Sequence, residues 1–291
     1  MDKAGIQALL AIVATWLVAA GLAWAGSQYS VAVGGWPLFA LCGLVAFGIQ
    51  WLVFIPSYLA QTEHYFDLTG SLTYLTLVIL VLMVVEPLDT RTLLLGALVA
   101  VWAMRLGSFL FMRVKQDGSD GRFDALKPSL PRFFMVWNLQ GLWVFLTLSA
   151  ALAAMTAVQR QPMETIALLG MLVFAAGFVI EVVADRQKRS FRADPANEGR
   201  FITTGLWAWS RHPNYFGEIM LWIGIFLIAV PVLSGWQWVT IASPLFVILL
   251  LTRISGIPLL EARGRRRWGQ DPEYQAYVAR TPSLIPWPPR G

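Results

Sequence analysis

The chain carries little charge. Only 13% of its 291 residues are Asp, Glu, Lys or Arg, about half the share that is usual in soluble domains. Polar segments are also short, which excludes a separate soluble domain. Hydrophobic residues instead make up 57% of the chain, with fourteen Trp and a mean hydropathy of +0.61. This composition predicts a polytopic membrane protein.

Cysteine and histidine are nearly absent. Cys42 is the only cysteine, so an intramolecular disulfide is excluded. The two histidines, His64 and His212, lie far apart and lack the spacing of metal ligands. We therefore expect no metal site.

Long apolar runs are plentiful. A membrane-spanning helix needs about 20 mostly apolar residues. Eight runs approach that length: 4–26, 36–59, 71–88, 92–112, 133–157, 165–184, 205–230 and 237–260. They predict an all-α fold, a polytopic membrane bundle of seven to eight transmembrane helices. The first run ends in an Ala-x-Ala signal-peptidase pattern, but it is longer than the apolar region of a signal peptide. We expect it to be an uncleaved helix.

The loops between these runs differ in positive charge. Loops 113–132 and 185–204 hold five Lys or Arg each, and the tail after residue 260 holds six. On the other side, loops 27–35, 88–91, 158–164 and 231–236 contain only Arg91 and Arg160. The positive-inside rule predicts that both termini are cytoplasmic. Topology explains the net charge of +5, so no nucleic-acid partner is expected.

The seventh run contains a cluster of polar residues. A polar or charged group at membrane depth is costly unless it faces a cavity, a partner or a ligand. The cluster comprises Arg211, His212, Asn214, Tyr215 and Glu218. Pro213 suits the first turn of a helix, which places Asn214 and Glu218 on one face. These residues predict a binding site. The alternative is that Glu218 is present only to form an ion pair with Arg211 or Arg253.

The end of the sixth run supplies further charge. Asp185, Arg189 and Arg192 follow helical spacing and share a face, with Lys188 one turn before Arg192. Such a face could bind a phosphorylated ligand. The alternative is an ordinary basic segment that ends the span at the membrane surface. The following loop adds Asn197 and Arg200, which favours the ligand.

Other polar groups occur in the fourth run, in loop 60–70 and in the tail. Arg105 lies inside an apolar run and requires a partner. Glu63 with Tyr65 or Tyr74 would form a pair that donates a hydrogen bond to a substrate carbonyl. The alternative is that these residues belong to an ordinary solvent-exposed loop. The tail arginines suit anionic lipid or a ligand phosphate equally: Arg263, Arg265, Arg266 and Arg267.

Three segments together resemble a known family. They read "DRQKRSF" from Asp185, "GLWAWSRHPNYFGEI" from Gly205 and "RISGIPLLEARGRRRWGQDPEYQAY" from Arg253. The sequence resembles bacterial DUF1295 proteins, within the steroid 5-alpha-reductase C-terminal superfamily. The resemblance runs from Gln61 to the C-terminus, which suggests N-terminal helices over 1–60 and a catalytic domain over 61–291.

The resemblance implies a membrane oxidoreductase that uses NADPH to reduce an activated carbon–carbon double bond. Its cofactor pocket would face the cytoplasm, and a lipophilic, possibly steroid-like substrate would enter from the bilayer. Asn214 and Glu218 would adjoin the nicotinamide, and Asp185, Arg192 and Arg200 the ribose and phosphates. By the same resemblance Arg105, Arg253 and Glu261 would also contact the cofactor.

The proton donor departs from the steroid reductases. Those enzymes pair a glutamate with a tyrosine, but the tyrosine's position corresponds to Trp102 here, which has no acidic hydroxyl. Glu63 with Tyr65 or Tyr74 is the expected substitute.

Two other functions remain open. The Arg-His-Pro-x-Tyr-x-Gly segment from Arg211 to Gly217 also occurs in isoprenylcysteine carboxyl methyltransferases, which use S-adenosylmethionine. A non-catalytic lipid-binding or transport protein would also keep buried polar groups.

Overall fold

The computed structural model describes residues 2–117, 121 and 123–288. In this part of the chain, helices predominate, and the strands are two short ones, β1 Ala32–Val33 and β2 Trp36–Pro37, paired antiparallel. The ten α-helices of these residues are α1 Lys3–Gly26, α2 Leu38–Leu59, α3 Phe66–Val84, α4 Thr90–Asp117, α5 Leu130–Thr156, α6 Thr165–Ala193, α7 Pro213–Ala229, α8 Ala242–Leu249, α9 Ile257–Trp268 and α10 Pro272–Arg280. The all-α prediction is confirmed.

Eight helical segments of the described residues are long and apolar enough to cross a membrane. Six of them are α1 to α6, although the apolar part of α4 ends at Leu110. The seventh runs through α7 to Val232, and the eighth covers Gly235–Trp268. The protein is therefore a multi-pass membrane protein, while the side on which its termini lie stays a prediction.

The chain forms two compact units. The first contains residues 1–164 and 229–243, and the second contains residues 165–228 and 244–291. These units are defined by the contacts between residues. The expected boundary after residue 60 was based on the extent of the sequence resemblance, and it stays a prediction.

Helix α5 is the centre of the first unit. It packs against α1, α2, α3 and α4, and 83% of the residues in an 18-residue apolar stretch of this helix are buried. Asn138 on α5 accepts hydrogen bonds from the indole nitrogens of Trp16 (2.8 Å) and Trp51 (3.1 Å). Gln50 on α2 donates to the Thr73 hydroxyl on α3 at 2.8 Å. Polar side chains thus hydrogen-bond across apolar helices, as is usual inside membrane bundles.

Glycines allow α6 and α7 of the second unit to approach closely. A Cβ on Gly177 would lie 2.6 Å from the Gly217 carbonyl oxygen, and one on Gly224 would lie 2.6 Å from that of Gly170. Small residues permit such backbone contact between membrane helices. The approach brings the polar ends of both helices together.

Two elements differ from their predicted limits. Helix α3 begins at Phe66, five residues before the predicted apolar run, because Asp67 in its first turn suits a helix N-terminus. The eighth run is interrupted: a 3₁₀ segment covers Gly235–Ile241, and a π-helical turn covers Leu250–Ile254 before α9 starts. Pro258 lies in the first turn of α9, where its missing N–H costs nothing.

Candidate functional site

The polar end of the second unit encloses a cavity of about 290 Å³. Its walls come from the end of α6, the segment before α7, and the tail helices α9 and α10. The charged and histidine residues that line it are Lys188, Arg192, Arg200, Arg211, His212, Glu261, Arg263 and Arg267. All of them lie within the second unit, so the cavity is complete in it.

The cavity has a strong excess of positive charge. Six of its lining residues are Lys or Arg, and Glu261 is its one carboxylate. Arg211 Nη2 forms an ion pair with Glu261 Oε1 at 3.0 Å. The other five cations form no ion pair with a carboxylate among the residues that the structure describes. Positive charges held together repel one another, so an anion bound here would be strongly attracted.

Glu261 is held by several side chains at once. Its Oε1 atom pairs with Arg211, accepts a hydrogen bond from Ser283 Oγ at 3.0 Å, and lies 3.6 Å from His212 Nε2. Glu261 belongs to α9, Arg211 and His212 precede α7, and Ser283 follows α10. One carboxylate oxygen therefore joins three segments that are distant in sequence.

His212 is buried in the wall of the cavity. Burial lowers the pKa of its imidazole to about 4; Glu261 opposes this shift, while Lys188 and Arg211 add to it. The ring stacks on Tyr215, with centroids 5.7 Å apart and planes at 11°. Neither ring nitrogen has a hydrogen-bond partner in the described chain. At neutral pH the imidazole is therefore uncharged.

Aromatic rings form a second side of the cavity. Phe201 contacts the rings of Trp268, Tyr274 and Tyr277 at centroid distances of 5.6, 5.1 and 5.8 Å. Burial raises the pKa of the Tyr277 hydroxyl, which stays protonated and donates to the Trp207 carbonyl oxygen at 2.7 Å. These rings offer flat apolar surface beside the cations.

Tight packing fixes this aromatic side. A Cβ on Gly264 would overlap the Tyr274 hydroxyl, so only glycine lets α10 approach α9 at this point. Trp268 Nε1 donates to the Gly199 carbonyl oxygen at 2.6 Å. The Lys188 ammonium lies 4.5 Å from the centre of the Trp207 ring, within the range of a cation–π contact.

Six of the fourteen predicted cofactor-binding residues line this cavity: Lys188, Arg192, Arg200, Arg211, His212 and Glu261. Tyr215 adjoins it through His212. Asn197 donates from Nδ2 to the Phe191 carbonyl oxygen at 3.1 Å, which closes the turn after α6.

Other predicted residues lie outside the lining. Asn214 Nδ2 donates to Asp185 Oδ1 at 3.2 Å, which links the start of α7 to α6. Arg189 and Arg253 are exposed, the latter in the π-helical turn, and Glu218 is half-buried on α7. Asp185 and Asn214 thus pair with each other outside the lining, and their role in cofactor binding stays a prediction.

Arg105 belongs to the first unit, on α4. Its guanidinium lies 5.9 Å from the centre of the Phe109 ring. The cavity of the second unit does not include it.

The predicted catalytic residues also lie in the first unit. Glu63 is buried, and its Oε2 is 2.7 Å from Lys127 Nζ, so its carboxylate joins two loops. Tyr65 is 55% exposed. Tyr74 is buried and meets Trp102 edge to face, with ring centroids 5.1 Å apart.

A small cavity of about 40 Å³ adjoins Tyr74. Its polar lining also includes Asp67, Ser71 and Gln140. Gln140 Nε2 donates to the Phe66 carbonyl oxygen at 2.7 Å. Among the three predicted catalytic residues, Tyr74 is the one in this lining.

Sequence reasoning missed much of the wall contributed by the tail. Sequence reasoning did not assign Trp268, Tyr274 or Tyr277 to a binding site, and it left the tail arginines between lipid and ligand. The i, i+4 spacing of Arg263 and Arg267 within one helix was the available signal, because it predicts a single basic face.

Two known proteins are similar to parts of this chain. An uncharacterized protein of Schizosaccharomyces pombe is 25% identical over 164 residues, which cover 47% of this chain and 48% of that protein. The probable O-methyltransferase ustE of Ustilaginoidea virens is 41% identical over 46 residues, 16% of each chain. The chain thus spans about half of the first relative and a much smaller part of the second. No solved structure matches.

A family match covers most of the chain. The sequence model described as "Protein of unknown function (DUF1295)" matches residues 53–281, which include both cavities described above. Because this match extends over well more than half of the sequence, the chain belongs to the DUF1295 family.

Proposed function

We propose that this protein is an integral membrane reductase that binds NADPH and reduces an activated carbon–carbon double bond in a lipophilic substrate. The observation that carries the cofactor assignment is the lining of the basic cavity beside α6 and α9, with six cations and one carboxylate. The reaction class rests on the resemblance of the sequence to steroid 5-alpha-reductase-like proteins.

The charge of the cavity favours a polyanionic nucleotide. NADPH carries a pyrophosphate and a further ribose phosphate, and arginine guanidinium groups bind phosphate oxygens with paired hydrogen bonds. Arg192, Arg200, Arg263 and Arg267 form no ion pair with a carboxylate in the described chain, so their charge is available. S-adenosylmethionine carries a sulfonium cation and no phosphate, and the same lining would repel that cation.

The aromatic side of the cavity suits a nucleobase. Phe201, Trp268 and Tyr274 lie beside the arginines. Flat rings and guanidinium groups next to one another bind nucleotides by combining stacking with charge. The volume of about 290 Å³ is at the lower end of the range for ligand pockets, which fits one nucleotide half of NADPH.

Bound NADPH would supply a hydride to the β-carbon of the activated double bond. The protein's share is to bind and orient the cofactor and to deliver a proton. Tyr74 is the proposed proton donor, because it is buried beside a small, mostly apolar cavity, whereas Tyr65 is exposed. Glu63 is a weaker candidate, since its carboxylate is ion-paired with Lys127.

We also propose that the protein lies in the inner membrane with its cofactor cavity facing the cytoplasm. The excess of Lys and Arg in loops 113–132 and 185–204 and in the tail supports this orientation. The substrate would then enter from the bilayer, where membrane lipids also contact the exposed apolar helices.

The decisive experiment is a cofactor titration. Detergent-purified protein is titrated with NADPH, and we expect saturable binding that weakens with added salt. Arg192→Ala should weaken it about tenfold through the loss of a charged contact. Arg186→Ala is the matched control, because Arg186 is an exposed arginine of the same helix outside the lining. Absence of saturable binding, or equal losses in both variants, removes the proposal.

A methyltransferase is the second candidate. It is favoured by the short match to a protein named as a probable O-methyltransferase and by the segment from Arg211 to Gly217. The same titration with S-adenosylmethionine separates the candidates. Tighter binding of S-adenosylmethionine than of NADPH would establish the methyltransferase in place of the reductase.

A further inference from the structure

The chain after α10 runs along the segment that precedes α7. We call residues 281–287 the C-terminal strap. The Arg211 backbone N–H donates to the Pro282 carbonyl oxygen at 2.9 Å, and Ser210 Oγ donates to that of Leu284 at 2.7 Å. The Trp287 backbone N–H donates to the Trp209 carbonyl oxygen at 2.9 Å. Three hydrogen bonds therefore fix the strap beside Arg211 and His212.

The strap places one side chain on Glu261, the carboxylate of the basic cavity beside α6 and α9. Ser283 Oγ donates to Glu261 Oε1 at 3.0 Å, the oxygen that also pairs with Arg211. Ser283 does not itself line the cavity. Any influence of this hydroxyl on a bound ligand must therefore pass through Glu261.

Glu261 has an alternative cation available on its own helix. Arg265 lies four residues later on α9, at the spacing at which side chains of opposite charge meet. Glu261 and Arg265 both line a neighbouring cavity, together with Arg211. The Ser283 hydroxyl favours the present orientation of the Glu261 carboxylate. Without that hydrogen bond, the carboxylate is freer to rotate toward Arg265.

We propose that Ser283 is a positioning residue of the nucleotide site, which fixes the Glu261 carboxylate and, through it, the Arg211 guanidinium. This inference rests on the proposed function and adds to it a residue outside the cavity. The hydroxyl holds Glu261 in the arrangement that aligns Arg211 for a phosphate-bearing ligand.

The first arm of the test measures NADPH binding to the detergent-purified full-length protein. Ser283→Ala should raise the dissociation constant about tenfold, the usual effect of losing one hydrogen bond to a charged group. Ser283→Thr keeps a hydroxyl and should restore most of the affinity. Ser255→Ala is the control, since Ser255 is an exposed serine of the same unit outside the cavity.

The second arm needs no nucleotide. Thermal unfolding is measured for Ser283→Ala, Glu261→Ala and the double variant. A positioning contact predicts coupling: Ser283→Ala lowers the melting temperature in the wild-type background and much less in Glu261→Ala, which lacks the acceptor. A serine that only packs would have the same effect in both backgrounds, and that result overturns the inference.

The two arms separate the possible failures. Coupling in thermal unfolding without saturable NADPH binding by the wild type would refute the proposed function and leave the contact between Ser283 and Glu261 standing. Saturable binding by the wild type that Ser283→Ala leaves unchanged would refute the positioning role alone.

Discussion

The Lys127 ammonium nitrogen lies 2.7 Å from Glu63 Oε2 and 3.1 Å from Asp124 Oδ1. Glu63 follows α2, whereas Lys127 precedes α5, so this ion pair joins two loops of the first unit. The Glu63 side chain is only 2% exposed, and the Lys127 ammonium group helps to compensate its buried charge.

Lys127→Met is expected to destabilise the protein by about 2 kcal/mol, because it removes a charged hydrogen-bond donor from a buried carboxylate. Thermal unfolding in detergent measures the effect. In a Glu63→Gln background the same substitution should cost much less. Equal losses in the two backgrounds would show that the ion pair does not stabilise the fold.

Gly217→Ala should also destabilise the protein. Its added methyl group would meet the Gly177 backbone and force α6 and α7 apart, at a cost of roughly 1–3 kcal/mol. Gly21→Ala is the control, because nothing lies within 4 Å of a Cβ at that position on α1. A lowered melting temperature in the first variant and none in the second confirms the close helix contact.

Much of the helical fold followed from the sequence alone. Apolar runs predicted the membrane-spanning segments, because a bilayer requires about 20 apolar residues. The start of α7 at Pro213 followed from the missing N–H of proline. The break between α8 and α9 was missed, since average hydropathy does not register a local change in hydrogen bonding.

The candidate site was predictable on one side only. Helical spacing grouped Lys188 and Arg192, because residues within one helix have fixed relative positions. The contact between Glu261 and Ser283 joins α9 to the strap that follows α10. No helical or strand periodicity predicts such a contact. The partner of Glu63 was missed for the same reason, since Lys127 is distant in sequence.

Acid should destabilise the second unit through His212. Burial lowers the pKa of its imidazole from the ordinary 6.5 to about 4. Between these values the unfolded chain binds a proton that the folded chain does not, so stability falls as the pH drops from 6.5 toward 4. The charged groups facing the ring are Glu261, which opposes the shift, and Lys188 and Arg211, which add to it.

This pH dependence is measured by thermal unfolding at several pH values in that window. His212→Gln should flatten the dependence relative to the wild type, because glutamine does not titrate. His64→Gln is the control, since His64 is exposed. A wild-type slope retained in His212→Gln would assign the acid sensitivity to other groups.

Tyr74→Phe tests the proposed proton donor. NADPH oxidation is followed with a panel of lipophilic cyclic enones as substrates. The variant should lose about 100-fold or more in kcat, because a positioned acid contributes roughly that factor, while its affinity for NADPH stays unchanged. Tyr29→Phe, an exposed tyrosine outside both cavities, is the control. If Tyr65→Phe loses activity and Tyr74→Phe does not, the exposed tyrosine is the donor and the small cavity beside Tyr74 has no part in proton delivery.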